Sequence, residues 1–251
     1  MHPAWDRLRA AATEVRWERG RVSVTARVGT GAATETFAAR ASILALPLAV
    51  LKAPAEEVGG IRFDPDLGAH RAALARLDTG HVVKVVLRFR EPLWGDEADF
   101  FHAAGAPFPT WWTCAPRTPP VLTAWAGGPA ADALRGLGQR EVVDVALASL
   151  GPMLGERRAR VERAVESWAF HDWQADPFSR GAYSYVLVGG VPAQEMLGRP
   201  IAGTLFLAGE ATDSEQTGTV SGAIASGQRA AGQALRALGR RQGPPRRSSS
   251  R

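Results

Sequence analysis

Leu205-Phe-Leu207 is an apolar triplet bounded by Gly203 and Gly209. Short apolar runs between glycines read as strands buried on both faces. The run continues through Gly209-Glu-Ala-Thr212 and a polar loop into Thr217-Gly-Thr-Val-Ser-Gly-Ala-Ile224. Val220, Ala223, Ile224, Gly227, Ala230, Ala231 and Leu235 then recur at helical spacing, so a helix is expected to about Leu238. Gly218 and Gly222 sit at its opening, where a side chain would keep a ligand off the backbone. A helix N-terminus offers unpaired N–H groups and partial positive charge, which suits an electron-rich ring or an anion. Taken alone, the segment has two readings: a ligand cradle, or ordinary close packing of helix on sheet.

At 251 residues and 45 % hydrophobic content the chain can bury a core as one domain or two interleaved ones. No apolar run approaches the ~20 residues that span a bilayer, and Met1-His-Pro-Ala-Trp-Asp-Arg7 lacks the order of a signal peptide. Cys114 stands alone, and the five histidines show no ligand spacing, so neither an internal disulfide nor a metal is expected. A cytoplasmic location is the default expectation. The formal charge of +5 equals the five arginines of residues 240–251, a stretch with no acid. That composition cannot bury apolar surface, so 239–251 is expected as a disordered basic tail. A solvated tail is the simpler reading of it than a nucleic-acid contact.

Strands are expected at Val15–Trp17, Arg21–Val28, Thr34–Phe37, Ile43–Leu46, around Lys84, at Phe100–His102, Thr110–Thr113, Val121–Trp125, Val161–Trp168 and Tyr183–Val188. Helices are expected over 4–13, 66–77 and Gln139–Leu150, the last closed by Gly151-Pro152. Gly29-Thr-Gly31-Ala-Ala-Thr34 nearly matches a dinucleotide fingerprint, but the third glycine is missing and no amphipathic helix follows, so it reads as a hairpin turn. The pattern is a mixed sheet with helices, α+β (α/β) in class.

Only Lys52 and Lys84 among thirty basic residues are lysine. A lysine inside Val82-Val-Lys-Val-Val86 stands out, because lysine tolerates a lowered pKa and arginine does not. The plainer alternative is a strand lysine facing water, as alternation permits.

Four segments in order carry a family resemblance. Gly209-Glu-x-Thr212 with Thr219-Val-x-Gly-Ala223 resembles the C-terminal flavin-binding signature of the flavin amine oxidases, the family of monoamine oxidases, polyamine oxidases and lysine-specific histone demethylases. Trp173-Gln-Ala-Asp-Pro-Phe-Ser-Arg-Gly-Ala-Tyr183-Ser-Tyr185 resembles its Trp-x-x-Asp-Pro-aromatic…Gly-Ser-Tyr segment. Gly80-His-Val-Val-Lys84…Trp94 resembles the strand carrying its active-site lysine, and Ala41-Ser-Ile-Leu-Ala-Leu-Pro47…Lys52 its strand-to-proline crossover.

The resemblance implies a partial FAD-linked amine oxidase fold. Residues 1–50 would be FAD-domain strands, 51–200 a substrate domain and 201–238 the C-terminal FAD-binding segment. It also implies oxidation of a primary amine or polyamine to imine and aldehyde, with dioxygen yielding hydrogen peroxide. Lys84 takes the place of the lysine that holds a water near the reactive ring nitrogen. Gly209, Glu210, Gly218, Thr219, Val220, Trp173 and Phe178 fall at cofactor positions, and Trp173 and Tyr183 line the amine path. Ala182 replaces the cysteine that bonds flavin in monoamine oxidases, so FAD would be noncovalent. Val83 replaces an asparagine common before the lysine. The family's opening Gly-x-Gly-x-x-Gly is absent from these 251 residues. The chain is therefore expected to be a fragment, one half of an enzyme completed by a separate chain, or a degenerate paralogue. Against the amine oxidase stand two alternatives: a noncatalytic partner domain of a flavoprotein, and a related flavin desaturase.

Overall fold

The computed structural model describes residues 7–95, 98–117 and 119–239. Residues 240–251 of the expected 239–251 tail and the first residues of the expected 4–13 helix lie outside these. The chain divides into two compact units, Met1–Thr79 with Pro177–Arg251, and Gly80–Asp176.

The first unit opens with the meander β1 (Ala10–Glu18), β2 (Arg21–Val28) and β3 (Thr34–Ala39). Residues 10–13 are thus strand, not helix: Ala10, Ala11 and Ala12 pair with Val28, Arg27 and Ala26 of β2, and the register shifts at Thr13 before Glu14 pairs with Thr25. The Gly29 turn is the expected hairpin, with β2 and β3 antiparallel and Gly29 at φ 70°. Next come β4 (Ser42–Leu44), α1 (Leu48–Lys52), β5 (Arg62–Asp64), α2 (Ala69–Leu74) and β6 (Leu77–Thr79). The 66–77 helix is therefore shorter than expected and gives way to a strand. The first sheet has the order β3-β2-β1-β5. Val15, Val22, Leu48, Leu51, Phe63, Leu74 and Leu77 close over one core with Leu197, Leu205 and Leu207. Each such side chain contributes about 1.5–3 kcal/mol when fully buried.

The second unit contains β7 (Val82–Phe89), β8 (Phe100–His102), β9 (Thr110–Trp112) and β10 (Val121–Gly127), then α3 (Pro129–Asp132), α4 (Gln139–Leu154), α5 (Arg158–Ala164) and β11 (Val165–Phe170). Its sheet runs β11-β7-β10-β9-β8. Val85, Leu87, Phe89, Leu122, Ala124 and Trp111 pack with Val142, Val143, Ala146, Leu147 and Leu150 of α4. Two expectations are corrected here. Helix α4 continues past Gly151-Pro152 to Leu154 and stops at Gly155, which adopts the left-handed conformation a C-terminal turn requires. Val161 belongs to α5, where it is fully buried, and the strand begins only at Val165. The expected 51–200 segment spans this whole unit and flanking parts of the first.

The chain then returns to the first unit with β12 (Ser184–Val186), α6 (Val191–Leu197), β13 (Leu205–Leu207), a 3-10 turn over Glu210–Thr212 and α7 (Val220–Ala237). Strand β12 pairs antiparallel with β6, and β13 pairs parallel with β4. Among the described residues no helix is long and apolar enough to cross a membrane.

Candidate active site

A buried strand ending in glycine turns sharply, and the turn after β13 aims the chain toward α7. Leu205, Phe206 and Leu207 are all buried. Phe206 and Ala208 pack on Ala230 and Ala234 of α7. Gly209, at φ 125°, redirects the backbone, and its N–H donates to Ser226 Oγ of α7 at 2.9 Å. Glu210 then points back across the loop. Its carboxylate accepts Ser184 N–H (3.1 Å), Ser184 hydroxyl (2.7 Å) and Gly218 N–H (2.9 Å). Glu210 thus organises the start of β12 and the approach to α7.

Thr219 caps α7: its hydroxyl accepts Gly222 N–H at 3.0 Å and donates to Gln216 carbonyl at 2.7 Å. Its own N–H goes to Gln216 carbonyl and its carbonyl receives Ala223 N–H. The N–H groups of Val220 and Ser221 are left without a protein acceptor among the described residues, the two donors a helix start offers a ligand. Thr219 falls at one of the cofactor positions that the resemblance implies, but its N–H is used inside the loop. The Val220 side chain is 77 % exposed at this opening. Tyr183 adjoins it through Gly218, where an added Cβ would sit 3.6 Å from both Tyr183 Cβ and Ser184 carbonyl. Tyr183 and Phe178 are each about half exposed (48 % and 51 %). This is the geometry of a ledge: two free N–H groups, an exposed Val220 and a neighbouring aromatic ring. A planar ring with an acceptor edge fits it. Nothing among the described residues supplies the glycine-rich turn that the diphosphate of a dinucleotide takes.

Two supports of this ledge escape sequence reasoning. Arg229 Nη1 donates to Gly198 carbonyl (2.7 Å), and Nη2 to Thr212 Oγ1 (2.7 Å) and Leu207 carbonyl (3.1 Å). Burial pulls its pKa below the ordinary arginine value, with the Asp213 charge opposing. Gln194 of α6 donates to Asp213 carbonyl and Thr217 Oγ1. Gln194 is 2 % exposed, a burial that no pattern in the sequence signals.

Strand β4 carries a third feature that its sequence does not announce. Ser42 N–H donates to Thr204 carbonyl and Ala208 N–H to Leu44 carbonyl. Alternation along a parallel ladder then turns the N–H and C=O of Ile43 toward the opposite edge. Ile43 opens the strand expected at 43–46, and its side chain is 43 % exposed.

In the second unit, Lys84 lies on β7, which is an interior strand of its sheet. Val85, Leu87 and Phe89 face α4, so Lys84, Val86 and Arg88 lie on the other face. Lys84 is exposed, and no described group hydrogen-bonds its ammonium. Lys52, by contrast, is tied to Leu77 carbonyl (2.8 Å) and Asp78 (3.2 Å). Directly opposite Lys84 stands Trp125 of β10, folded along its strand over Gly127, where an added Cβ would lie 2.3 Å from the indole. Val83 is half-buried beside Ala126. Trp173 is 48 % exposed and meets the His171 ring edge-on at 4.3 Å. His171 Nε2 lies 2.9 Å from Asp176.

The candidate residues thus fall in two groups. Gly209, Glu210, Gly218, Thr219, Val220, Phe178 and Tyr183 belong to the first unit, and Lys84 and Trp173 to the second.

Comparison with known proteins agrees with the resemblance. Residues 3–235 match the family described as flavin containing amine oxidoreductase. Lysine-specific histone demethylase 1 homolog 3 of Arabidopsis thaliana is 36 % identical over 200 residues, covering 76 % of this chain and 12 % of that protein. Polyamine oxidase 4 of Oryza sativa subsp. japonica is 30 % identical over 249 residues, covering 95 % and 47 %. A solved putrescine oxidase, from a redesign of its cofactor binding, superimposes with TM-score 0.73 at 22 % identity, covering 90 % of this chain and 48 % of that one. The chain therefore spans less than half the length of each of these relatives. The α+β architecture is a partial amine oxidase fold, and the chain belongs to the flavin-containing amine oxidoreductase family.

Proposed function

We propose that this chain carries the ring-facing and amine-facing part of an FAD-dependent amine oxidase acting on a primary amine or polyamine. When bound, FAD would accept the hydride equivalent from the amine α-carbon, giving an imine that water hydrolyses, with dioxygen consumed and hydrogen peroxide released. The observation that carries this reading is the α7 ledge, where the Val220 and Ser221 N–H groups have no acceptor among the described residues and Tyr183 lies close to Gly218. Two N–H donors and a helix dipole there would stabilise charge gathering on a ring edge by about 0.3–1 kcal/mol, more if water is excluded. Gly209 and Gly218 keep the backbone approachable, and Glu210 holds Gly218 in place. Tyr183 and Trp173 would line the amine's path, each aromatic face adding about 0.5–2 kcal/mol toward a cationic amine. Phe178 would pack near the ring. Lys84 would hold the water that assists hydrolysis or reoxidation. The attachment would be noncovalent, with alanine at position 182.

The dinucleotide half would come from outside these residues, on the same or a separate polypeptide. The outward N–H and C=O of Ile43 give β4 an edge for one more parallel strand. The same edge favours the second reading, a noncatalytic partner domain. A cytoplasmic location remains part of the proposal.

The test is titration with FAD, followed by flavin absorbance and by peroxide release on adding putrescine, spermidine or a simple primary amine. Bound flavin and peroxide are expected, with Lys84→Met slowing turnover and leaving flavin bound. Protein that stays colourless with FAD, alone and with a dinucleotide-binding half from a relative, defeats the oxidase. Flavin bound without turnover of any amine favours the partner domain, and turnover of an apolar substrate instead favours a desaturase.

A further inference from the structure

Arg180 has a backbone φ of 61°. Few residues with a Cβ occupy that left-handed region, and those that do are held there by their surroundings. Here the side chain does the holding. Its Nε donates to Pro177 carbonyl (3.1 Å), Nη1 to Glu57 (2.7 Å) and Nη2 to Val58 carbonyl (2.8 Å). The Arg180 side chain is 23 % exposed. The rigid fork of a guanidinium reaches three separate acceptors at once, which an ammonium on a flexible stem does not. The two loops also touch through their backbones. A Cβ on Gly59 would sit 2.1 Å from Pro177 carbonyl and 3.5 Å from the Phe178 ring. Ser179 closes the turn by donating to Gly181 carbonyl.

Farther along, Ser184 is pinned by Glu210. The segment 177–184 is therefore anchored at both ends, and between the anchors Phe178 and Tyr183 keep about half their surface in water. Rings of that size are ordinarily buried more fully. A strained backbone, a guanidinium bonded through all three of its nitrogens and two half-exposed aromatics coincide within one short segment.

We propose that Arg180 is a positioning residue, locking the 177–181 turn against Glu57 and Val58 so that Phe178 and Tyr183 are presented outward to cofactor and amine. The inference rests on the reading of those two aromatics given under Proposed function. Arg180 touches neither ligand; it acts through the turn. A purely structural arginine would stabilise the loop and leave ligand affinity alone.

The experiment compares the full chain with Arg180→Gly, Arg180→Lys and Glu57→Gln. Glycine accepts the left-handed backbone and deletes the fork, so it separates the clamp from the strain. Amide hydrogen exchange over 177–186 is expected to rise at least about tenfold in Arg180→Gly, with 10–28 unchanged as the control for folding. The FAD dissociation constant and the amine KM are expected to rise about tenfold with kcat changing less, as lost positioning of bound groups predicts. Arg180→Lys and Glu57→Gln fall between, and Glu57→Gln carries the test if Arg180→Gly does not fold. Unchanged exchange over 177–186 overturns the clamp whether or not flavin binds. Faster exchange with FAD affinity and KM unaltered overturns the positioning role. Failure of the wild-type chain to take FAD, alone and with a dinucleotide-binding half from a relative, defeats the function itself, and is told apart because it appears without any substitution.

Discussion

The Glu210 carboxylate accepts the Gly218 N–H at 2.9 Å, which ties the turn after β13 to the approach of α7 eight residues on. The same carboxylate holds Ser184 by two further bonds, so one side chain fixes three backbone segments. A charged acceptor is worth more than a neutral one in each bond.

Glu210→Gln leaves one oxygen and sets an NH₂ group against donors. The expected loss is about 1.5–3 kcal/mol of unfolding free energy, with faster amide exchange at Ser184 and Gly218. Urea denaturation measures the first, and a loss below ~0.5 kcal/mol would show that water replaces the carboxylate at no cost.

Arg229→Met keeps the apolar stem and removes the donors to Gly198, Leu207 and Thr212. Part-buried acceptors then lose their partners, at about 2–4 kcal/mol in total. Arg229→Lys should recover only part, since an ammonium cannot span acceptors on α6's end, β13 and the 3-10 turn together. Chemical denaturation of the three proteins decides it.

Gly222 and Gly227 both lie in α7 and should respond in opposite directions. A Cβ at Gly222 would fall 2.2 Å from the Gln216 carbonyl, whereas at Gly227 nothing lies within 4 Å. Gly222→Ala must push the 213–219 loop aside, costing about 1–3 kcal/mol. Gly227→Ala should stabilise by about 0.5–1 kcal/mol through helix propensity. Thermal unfolding midpoints moving the same way in both would contradict the close approach.

In the second unit the His81 hydrogen bond, followed by that of Arg135, holds the Asp132 carboxyl below its ordinary pKa of 3.8. A carboxylate depressed on folding adds stability above 3.8 and loses it as pH falls through its folded value. Asp132→Asn should therefore lower the urea midpoint of this unit near neutral pH and match wild type in strong acid. The effect is small, because the group is exposed and screened. A constant gap at every pH would assign it to packing instead.

Alternation and glycine placement made much of the fold legible. The second half of β1, the β2–β3 hairpin, the Lys84 strand, the buried β13 and helix α7 all arise from local patterns, because side-chain periodicity is local. The departures have two sources, a stop signal read a few residues too early and a packing contact between distant elements. Helix α4 runs through Gly151-Pro152 because its last turn finds a left-handed end at Gly155, and Val161 turns helical because α5 buries it under the sheet.

For the candidate site, residue types and order pointed to the motifs, and the sequence alone determined which residues belong to the family's pattern. The tertiary structure decided what each one touches. Glu210 binds Ser184 and Gly218, Arg229 reaches from α7 to Gly198, and Trp125 stands opposite Lys84. Apart from the Glu210–Gly218 bond, each of these joins residues more than twenty positions apart. Hydrogen-bond partners at such distances are chosen by the packing of whole elements, which no local pattern encodes.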